Sequence, residues 1–349
     1  MLPDLGAGGA QKVLMRLADG IDRERWEPRL FVMGGVQALM PPATLATEIG
    51  SYHRTIAGVP WLVRRLRAFA PDAVLSTLAY TNFVLLAASK TLPNQTRVLV
   101  REANTPQATL NALSPLLSRL APYRRLYPRA TRVLVQTPQI RDALEDLVPG
   151  LESKIRLLPN PVDVDILRMA RPERISGPGL RLVAAGRLTR QKGFDRMINM
   201  VNQLPAETML TIFGEGPERA ALEAQARMLG VAGRVQLPGY VNNLQAHLAG
   251  ADAFVITSRW EGLPNVVLEA LALGVPVVAT PDAGLNDIAL EAIGAILIAP
   301  PGESFIELLR AIEVCDPTVL GSRKSLLPVA YHADAVIKNL EAIFEEALM

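Results

Sequence analysis

The feature that most constrains this chain is an alternation, repeated in both halves, of short apolar runs with longer helical patterns. In the first half the runs suited to strands are Arg29–Met33, Ala73–Leu78, Thr96–Val100 and Arg132–Gln136. In the second half they are Leu180–Ala185, Thr208–Phe213, Arg234–Leu237, Ala253–Ile256, Pro276–Ala279 and Ala295–Ile298. Between them lie helix candidates such as Ala10–Ala18, Gln139–Leu147, Asp195–Gln203, Pro217–Leu229 and Val266–Leu273. Strands alternating with helices predict an α/β fold built on parallel sheets. Pro, Gly and polar residues crowd Pro159–Pro178, which reads as a linker. The expected division is a Rossmann-like domain over 1–162, a second over 163–330, and a C-terminal helix over 331–349. That helix carries Ala335, Val336, Ile337, Leu340, Ile343, Phe344 and Leu348 on one face, so it should pack on a domain, and it can cross back to the first.

Composition agrees with two domains of ordinary size. The chain has 349 residues, half of them hydrophobic and 20% charged, which permits a sizeable core and excludes global disorder. The single cysteine, Cys315, allows no internal disulfide and suits a reducing compartment. No apolar run reaches the roughly 18 residues of a membrane span, and the N-terminus has no signal-peptide pattern. A cytoplasmic protein, peripheral at the inner face of the membrane, is expected.

The charge is uneven. Residues 1–165 hold 20 Lys and Arg against 14 Asp and Glu, and the stretch Arg54–Arg129 has 11 basic residues against Asp72 and Glu102 alone. Pro60, Trp61, Leu62 and Val63 adjoin Arg64, Arg65 and Arg67, while Leu116, Leu117 and Leu120 adjoin Arg119, Arg124 and Arg125. Basic residues interleaved with apolar ones predict contact with an anionic membrane surface. No nucleic-acid partner is expected.

The chemistry concentrates in the stretch from Arg259 to Glu269. After the strand Ala253–Ile256, Glu261-Gly262-Leu263-Pro264-Asn265 forms a turn, and a helix continues through Glu269 to Leu273. Pro264 and Asn265 can open that helix, because Pro is tolerated where backbone N–H groups lack intrahelical partners. The positive helix end suits a phosphate. Glu269, about one turn inside, suits hydroxyls such as those of a ribose, since a carboxylate accepts hydrogen bonds and repels phosphate. Two glutamates separated by seven residues in this setting resemble the donor-site motif of the family 4 retaining glycosyltransferases. The resemblance implies the GT-B architecture, two Rossmann-like domains facing a cleft. It also implies that Glu261 contacts the sugar and that Glu269 holds the ribose of a nucleotide sugar.

Other segments extend the resemblance from Gly6 to about Asp287. Gly186-Arg187-Leu188 through Lys192-Gly193 follows a strand and is similar to the family's Gly-Arg-Leu…Lys-Gly segment, in which Arg and Lys neutralise the leaving diphosphate. Arg190 has no match there and is expected to be solvated. Gly214-Glu215-Gly216-Pro217 resembles the family's turn at the nucleotide pocket, though a strand-to-helix turn needs such glycines in any case. The loop holding Tyr240 and Val241 corresponds to one that contacts the base, and Gly8 and Gly9 to a loop that approaches the donor phosphate. The latter lacks the acidic residue that NAD binding would need.

Two places depart from the family pattern. The family often has a histidine near Arg101-Glu102-Ala103-Asn104, but the histidines here are His53, His247 and His332. Either Glu102 or Asn104 serves the acceptor or sugar side, or this subgroup differs from the family; the alternative is that Asn104 caps a helix and Glu102 is solvated. At Gly284-Leu285-Asn286-Asp287 the usual second glycine and glutamate are replaced by Leu285 and Asp287.

The sequence thus predicts a retaining, metal-independent glycosyltransferase with no cofactor, taking a UDP-hexose or UDP-N-acetylhexosamine and a glycan or lipid-linked acceptor in cell-surface polysaccharide or glycolipid assembly. The catalytic candidates are Arg187, Lys192 and Glu261. The donor-binding candidates are Gly8, Gly9, Glu215, Tyr240, Val241, Gly262, Leu263, Pro264, Asn265 and Glu269. A nucleotide-sugar epimerase and a catalytically inactive binding subunit are the alternatives. A further expectation concerns the N-terminus. Only five residues precede Gly6, and Pro3 suits no central strand, so the first strand of the N-terminal domain is expected to be missing, with an apolar segment upstream in the natural protein.

Overall fold

The computed structural model describes the chain except residues 7, 53–54, 114–118, 120 and 175–178. It forms two units, Met1–Pro161 with Ala333–Met349, and Val162–His332.

The second unit is a six-stranded parallel sheet. Its strands are β7 (Arg181–Ala185), β8 (Met209–Phe213), β9 (Val235–Gly239), β10 (Ala253–Ile256), β11 (Val277–Ala279) and β12 (Ile296–Ile298). They run in the order β12-β11-β10-β7-β8-β9. β7 and β10 are buried along their whole length, because helices cover both faces of a doubly wound sheet. One face packs on the Asn265–Ala272 helix through Val267, Leu268 and Leu271. The other packs on the Phe194–Val201 helix through Met197, Ile198 and Val201. The strand order reverses between β7 and β10. In such sheets the loops at the carboxyl ends of the strands part there and leave a crevice for ligands.

The first unit holds two parallel sheets. β1 (Arg29–Val32) pairs with β2 (Ala46–Ile49). β3 (Ala73–Thr77), β4 (Arg97–Glu102), β5 (Arg132–Val135) and β6 (Ile155–Leu157) follow in that order. No strand precedes the first glycine loop among the described residues. Instead Leu2 makes an isolated parallel bridge to Val32, and Leu5 one to Gln37.

The C-terminal helix, Ala333–Leu348, belongs to this first unit. Val336, Leu340, Ile343 and Ala347 pack against Leu17, Leu134 and Leu158. Each large apolar side chain buried this way contributes roughly 1.5–3 kcal/mol. Glu346 receives Arg156 Nε at 2.9 Å and Arg132 at 3.2 Å, and the hydrogen bond from Arg156 is the main reason its carboxyl is held down at about 2. Glu341 accepts the Asp22 N–H at 2.8 Å.

Candidate functional site

The loops that follow β7, β8 and β10 gather on one edge of the second sheet. The β7 and β8 loops are zipped together by backbone bonds, Gly186 N–H to Phe213 O at 2.9 Å and Leu188 N–H to Glu215 O at 2.9 Å. A Cβ on Gly214, whose φ is +131°, would stand 2.0 Å from Gly186 O, so only glycine allows this approach. The β7 loop is then tied to β10: Thr257 Oγ1 donates to Gly193 O at 2.7 Å, and Arg259 N–H to Gln191 O at 2.7 Å. Gly193 has φ +65°, and a Cβ there would lie 2.1 Å from Thr257 O.

These ties bring Lys192 and Glu261 together. Lys192 Nζ donates to Glu261 Oε1 at 2.5 Å, and Ser258 Oγ donates to the same oxygen at 3.0 Å. Both charged side chains are mostly buried, with 20% and 10% exposure. An ammonium carries three N–H donors, so Lys192 keeps donors for a second acceptor while it orients Glu261. Arg187, on the same loop, is exposed. Arg190 is exposed too, as its lack of a family match suggested.

Pro264 caps the Asn265–Ala272 helix with extended backbone, φ −71° and ψ 116°, and Glu269 sits half-buried one turn in. Gly262 and Leu263 are buried beneath the turn. The helix therefore presents its positive end beside Glu261. A neighbouring bidentate pair, Arg259 to Asp195 at 2.8 and 2.6 Å, braces the β10 loop, and its hydrogen bonds hold the Asp195 carboxyl below its usual range. Ser258, Asp195 and Arg259 were not among the sequence candidates. Only tertiary pairing brings Asp195 and Arg259 together, and a lone serine carries no local signal.

The remaining donor candidates divide. Glu215 is exposed, and Arg219 grips it through Nε at 2.9 Å and Nη2 at 2.7 Å, which lowers its carboxyl. The two stand four residues apart, the spacing at which helical neighbours pair. Tyr240 is 66% exposed, and Val241 packs partly on the core. In the first unit, Gly8 caps the Gly9–Gly20 helix, and Asp4 Oδ1 braces the loop by accepting from Gly6 N–H at 2.9 Å and Gln11 Nε2 at 3.0 Å.

The structure corrects the reading of Glu102 and the capping alternative for Asn104. Glu102 is fully buried and receives Tyr127 Oη at 2.6 Å, Tyr123 Oη at 2.8 Å and Asn82 Nδ2 at 3.2 Å. It is spent inside the first unit and presents nothing to a sugar. Burial pushes it up to about 7, against the pull of those donors and of Arg101. Arg101 beside it is also fully buried, bonded to Asn160 Oδ1 and lowered to about 10 by burial. Asn104 caps no helix. Its Oδ1 accepts the Thr105 N–H at 2.8 Å, and Thr105 is the cap of Pro106–Ala112.

Of the residues expected at a membrane, Leu62 is buried in the core and Arg65 is paired with Glu48. Pro60, Arg64, Arg67, Arg119, Arg124 and Arg125 are exposed, with Trp61 and Val63 partly so. His53, Arg54, Leu116, Leu117 and Leu120 lie outside the described residues. Among the described residues, no helix is long and apolar enough to cross a membrane, and no group of three or more His, Cys, Asp or Glu could hold a metal.

Residues 7–166 match the model of Glycosyltransferase Family 4, and residues 179–313 that of Glycosyl transferases group 1. An uncharacterized glycosyltransferase of Methanocaldococcus jannaschii is 28% identical over 63% of this chain and 58% of its own length. An N-acetylgalactosamine-N,N'-diacetylbacillosaminyl-diphospho-undecaprenol 4-alpha-N-acetylgalactosaminyltransferase of Campylobacter jejuni is 29% identical over 79% of this chain and 78% of its own. The chain spans about half to three-fifths of the length of the first curated relatives it matches. Anabaena HepE, solved in complex with UDP, superposes with a TM-score of 0.70 at 18% identity, covering 99% of this chain and 97% of that one, which shows the shared fold. With one family model on each unit and the GT-B fold throughout, the chain belongs to glycosyltransferase family 4.

Proposed function

We propose that this chain is a retaining glycosyltransferase. It moves a sugar from a UDP-hexose or UDP-N-acetylhexosamine to a glycan or lipid-linked acceptor in cell-surface polysaccharide or glycolipid assembly. The observation that carries this reading is the Lys192–Glu261 contact at 2.5 Å, beside an exposed Arg187 and a helix N-terminus at the switch point of the sheet. Lys192 and Arg187 offset the charge that develops on the departing diphosphate, with the helix end adding its dipole. Glu261, held by Lys192 and Ser258, orients the sugar, and Glu269 the ribose. The bond from the sugar C1 to the diphosphate oxygen breaks, and the bond from C1 to the acceptor oxygen forms on the same face. The acceptor proton leaves with the diphosphate. No enzyme nucleophile, metal or further cofactor is invoked.

The acceptor side of the proposal rests on the first unit. A groove of about 1040 Å³ there is walled by Val59, Val63, Phe83, Val84 and Leu126 and bordered by the exposed Arg64, Arg67, Arg125 and Arg129. An apolar trough with a cationic rim suits a lipid chain bearing phosphate, at an anionic membrane surface on the inner face. The Campylobacter relative is named for a diphospho-undecaprenol, which agrees with that chemistry.

Thermal-shift titration with UDP, GDP and ADP sugars identifies the donor, and the anomeric configuration of the product tests retention. Stabilisation by a UDP-sugar, a product of retained configuration and turnover undiminished by EDTA are expected. An inverted product, or an epimer formed without acceptor, rejects the reading.

A further inference from the structure

Glu102 joins two walls of the apolar groove in the first unit. One wall is the Ala79–Ala88 helix, which gives the groove Phe83 and Val84. Another is the pair of short helices Pro122–Leu126 and Tyr127–Arg129, which give it Arg125, Leu126 and Arg129. Each wall also carries buried polar side chains beside its groove residues. Asn82 precedes Phe83, and Tyr123 and Tyr127 flank Arg125 and Leu126. All three end on Glu102. Asn82 Nδ2 and Tyr127 Oη donate to Oε1 at 3.2 and 2.6 Å, and Tyr123 Oη donates to Oε2 at 2.8 Å.

The network is anchored on both sides. Asn82 is tied to the sheet, since its Oδ1 accepts Ser76 Oγ at 2.7 Å and its Nδ2 donates to Arg101 O at 3.0 Å. Phe83 stands edge-on to Tyr123 at 5.1 Å between ring centroids, and the two tyrosine rings are 4.7 Å apart. A shift of either tyrosine is therefore passed to Phe83, a groove residue, and to the helices that hold Arg125 and Arg129 at the rim. An apolar side chain in place of Glu102 would pack these rings at less cost, because a buried carboxyl loses its hydration and regains only what its donors supply. What the carboxyl adds is direction. Hydrogen bonds fix distance and angle, whereas apolar contact is non-directional.

We propose that Glu102 is a positioning residue for the acceptor. It fixes the spacing of the two walls, and with it the width of the groove and the placement of Arg125 and Arg129, for an amphiphile of one hydrocarbon chain and an anionic head. The carboxyl touches no substrate and acts only through Asn82, Tyr123 and Tyr127. This role rests on the reading of the groove as the acceptor's seat and is independent of the donor site.

The test titrates a fluorescent farnesyl phosphate into the full chain and follows its anisotropy with no donor present, at a temperature where each variant is folded. The wild type should bind the probe. Tyr123→Phe with Tyr127→Phe keeps every ring and deletes both hydroxyls, and it should bind about tenfold more weakly, the scale of two lost hydrogen bonds. Glu102→Leu should weaken binding to the same extent. Glu102→Gln still offers an acceptor to Tyr127 and a donor to Tyr123, so it should stay within about threefold of the wild type. A role in folding alone would lower melting temperatures and leave these affinities equal. Wild-type affinity in the paired Phe variant would overturn the inference by itself, and that variant decides the matter where Glu102→Leu does not fold. A wild type that fails to bind the probe would overturn it together with the acceptor reading, leaving the donor site as proposed.

Discussion

Lys192 and Glu261, 69 residues apart in sequence, meet at 2.5 Å where the strand order of the second sheet reverses. The contact ties the loop after β7 to the loop after β10. It sets a cation and a carboxylate side by side at the carboxyl ends of those strands, the pair on which the proposed function rests.

Removing either cation should therefore cost chemistry more than folding. Lys192→Ala and Arg187→Ala should each lower transfer from a UDP-sugar by at least ~100-fold, the scale of losing one preorganised donor. Arg187→Ala should barely move the melting temperature, because Arg187 is exposed, whereas Lys192→Ala should lower it, because Glu261 is left mostly buried with only its hydrogen bond from Ser258 against the lost cation. Near-normal turnover in both variants would remove these residues from the catalytic role.

Gly193 is held at φ +65° with its α-carbon against Thr257 O. Gly193→Ala should destabilise the second unit by roughly 1–3 kcal/mol through backbone strain and the displaced carbonyl. UDP-sugar affinity should fall as well, because the same displacement parts Lys192 from Glu261. Unaltered urea midpoint and affinity would mean that the loop relaxes at no cost.

The buried Glu102 gives a pH dependence with a definite sign. Burial raises its folded pKa from 4.5 to about 7, so between those values the folded protein binds the extra proton. Its contribution is complete below about 4.5 and is lost as pH rises to 7. Between pH 5 and 8 the wild type should lose about 1–3 kcal/mol more than Glu102→Gln, measured by urea denaturation. A variant that loses as much as the wild type would assign the titration to another group.

Vesicle sedimentation checks the basic rim. Binding to vesicles containing anionic lipid should weaken with salt. Arg64→Ser with Arg67→Ser should weaken it by about tenfold or more, at roughly 1 kcal/mol per basic residue. Equal binding to neutral and anionic vesicles would count against the membrane proposal.

The strands of the second unit were legible because burial on both faces leaves apolar runs with little else to be. Every strand candidate there falls within a residue or two of a real one. β2, Ala46–Ile49, was not read, since it is a half-exposed edge carrying Thr47 and Glu48, and β6 is only three residues long. At the site, Glu261 and Lys192 stood out because local turn and helix chemistry frames them. Glu102 was misread for the opposite reason. A carboxylate at a strand end looks available until Tyr123 and Tyr127, more than twenty residues away, close over it. No local pattern announces such a closure.

The packing of Ala333–Leu348 on the first unit has a consequence for synthesis. A domain usually folds as its own chain emerges, N-terminal part first. Here Leu17, Leu134 and Leu158 await Leu340 and Ile343, which leave the ribosome only after the whole of Val162–His332. The unit that starts the chain is thus the one that finishes late, and its apolar flank stays uncovered while its neighbour is completed.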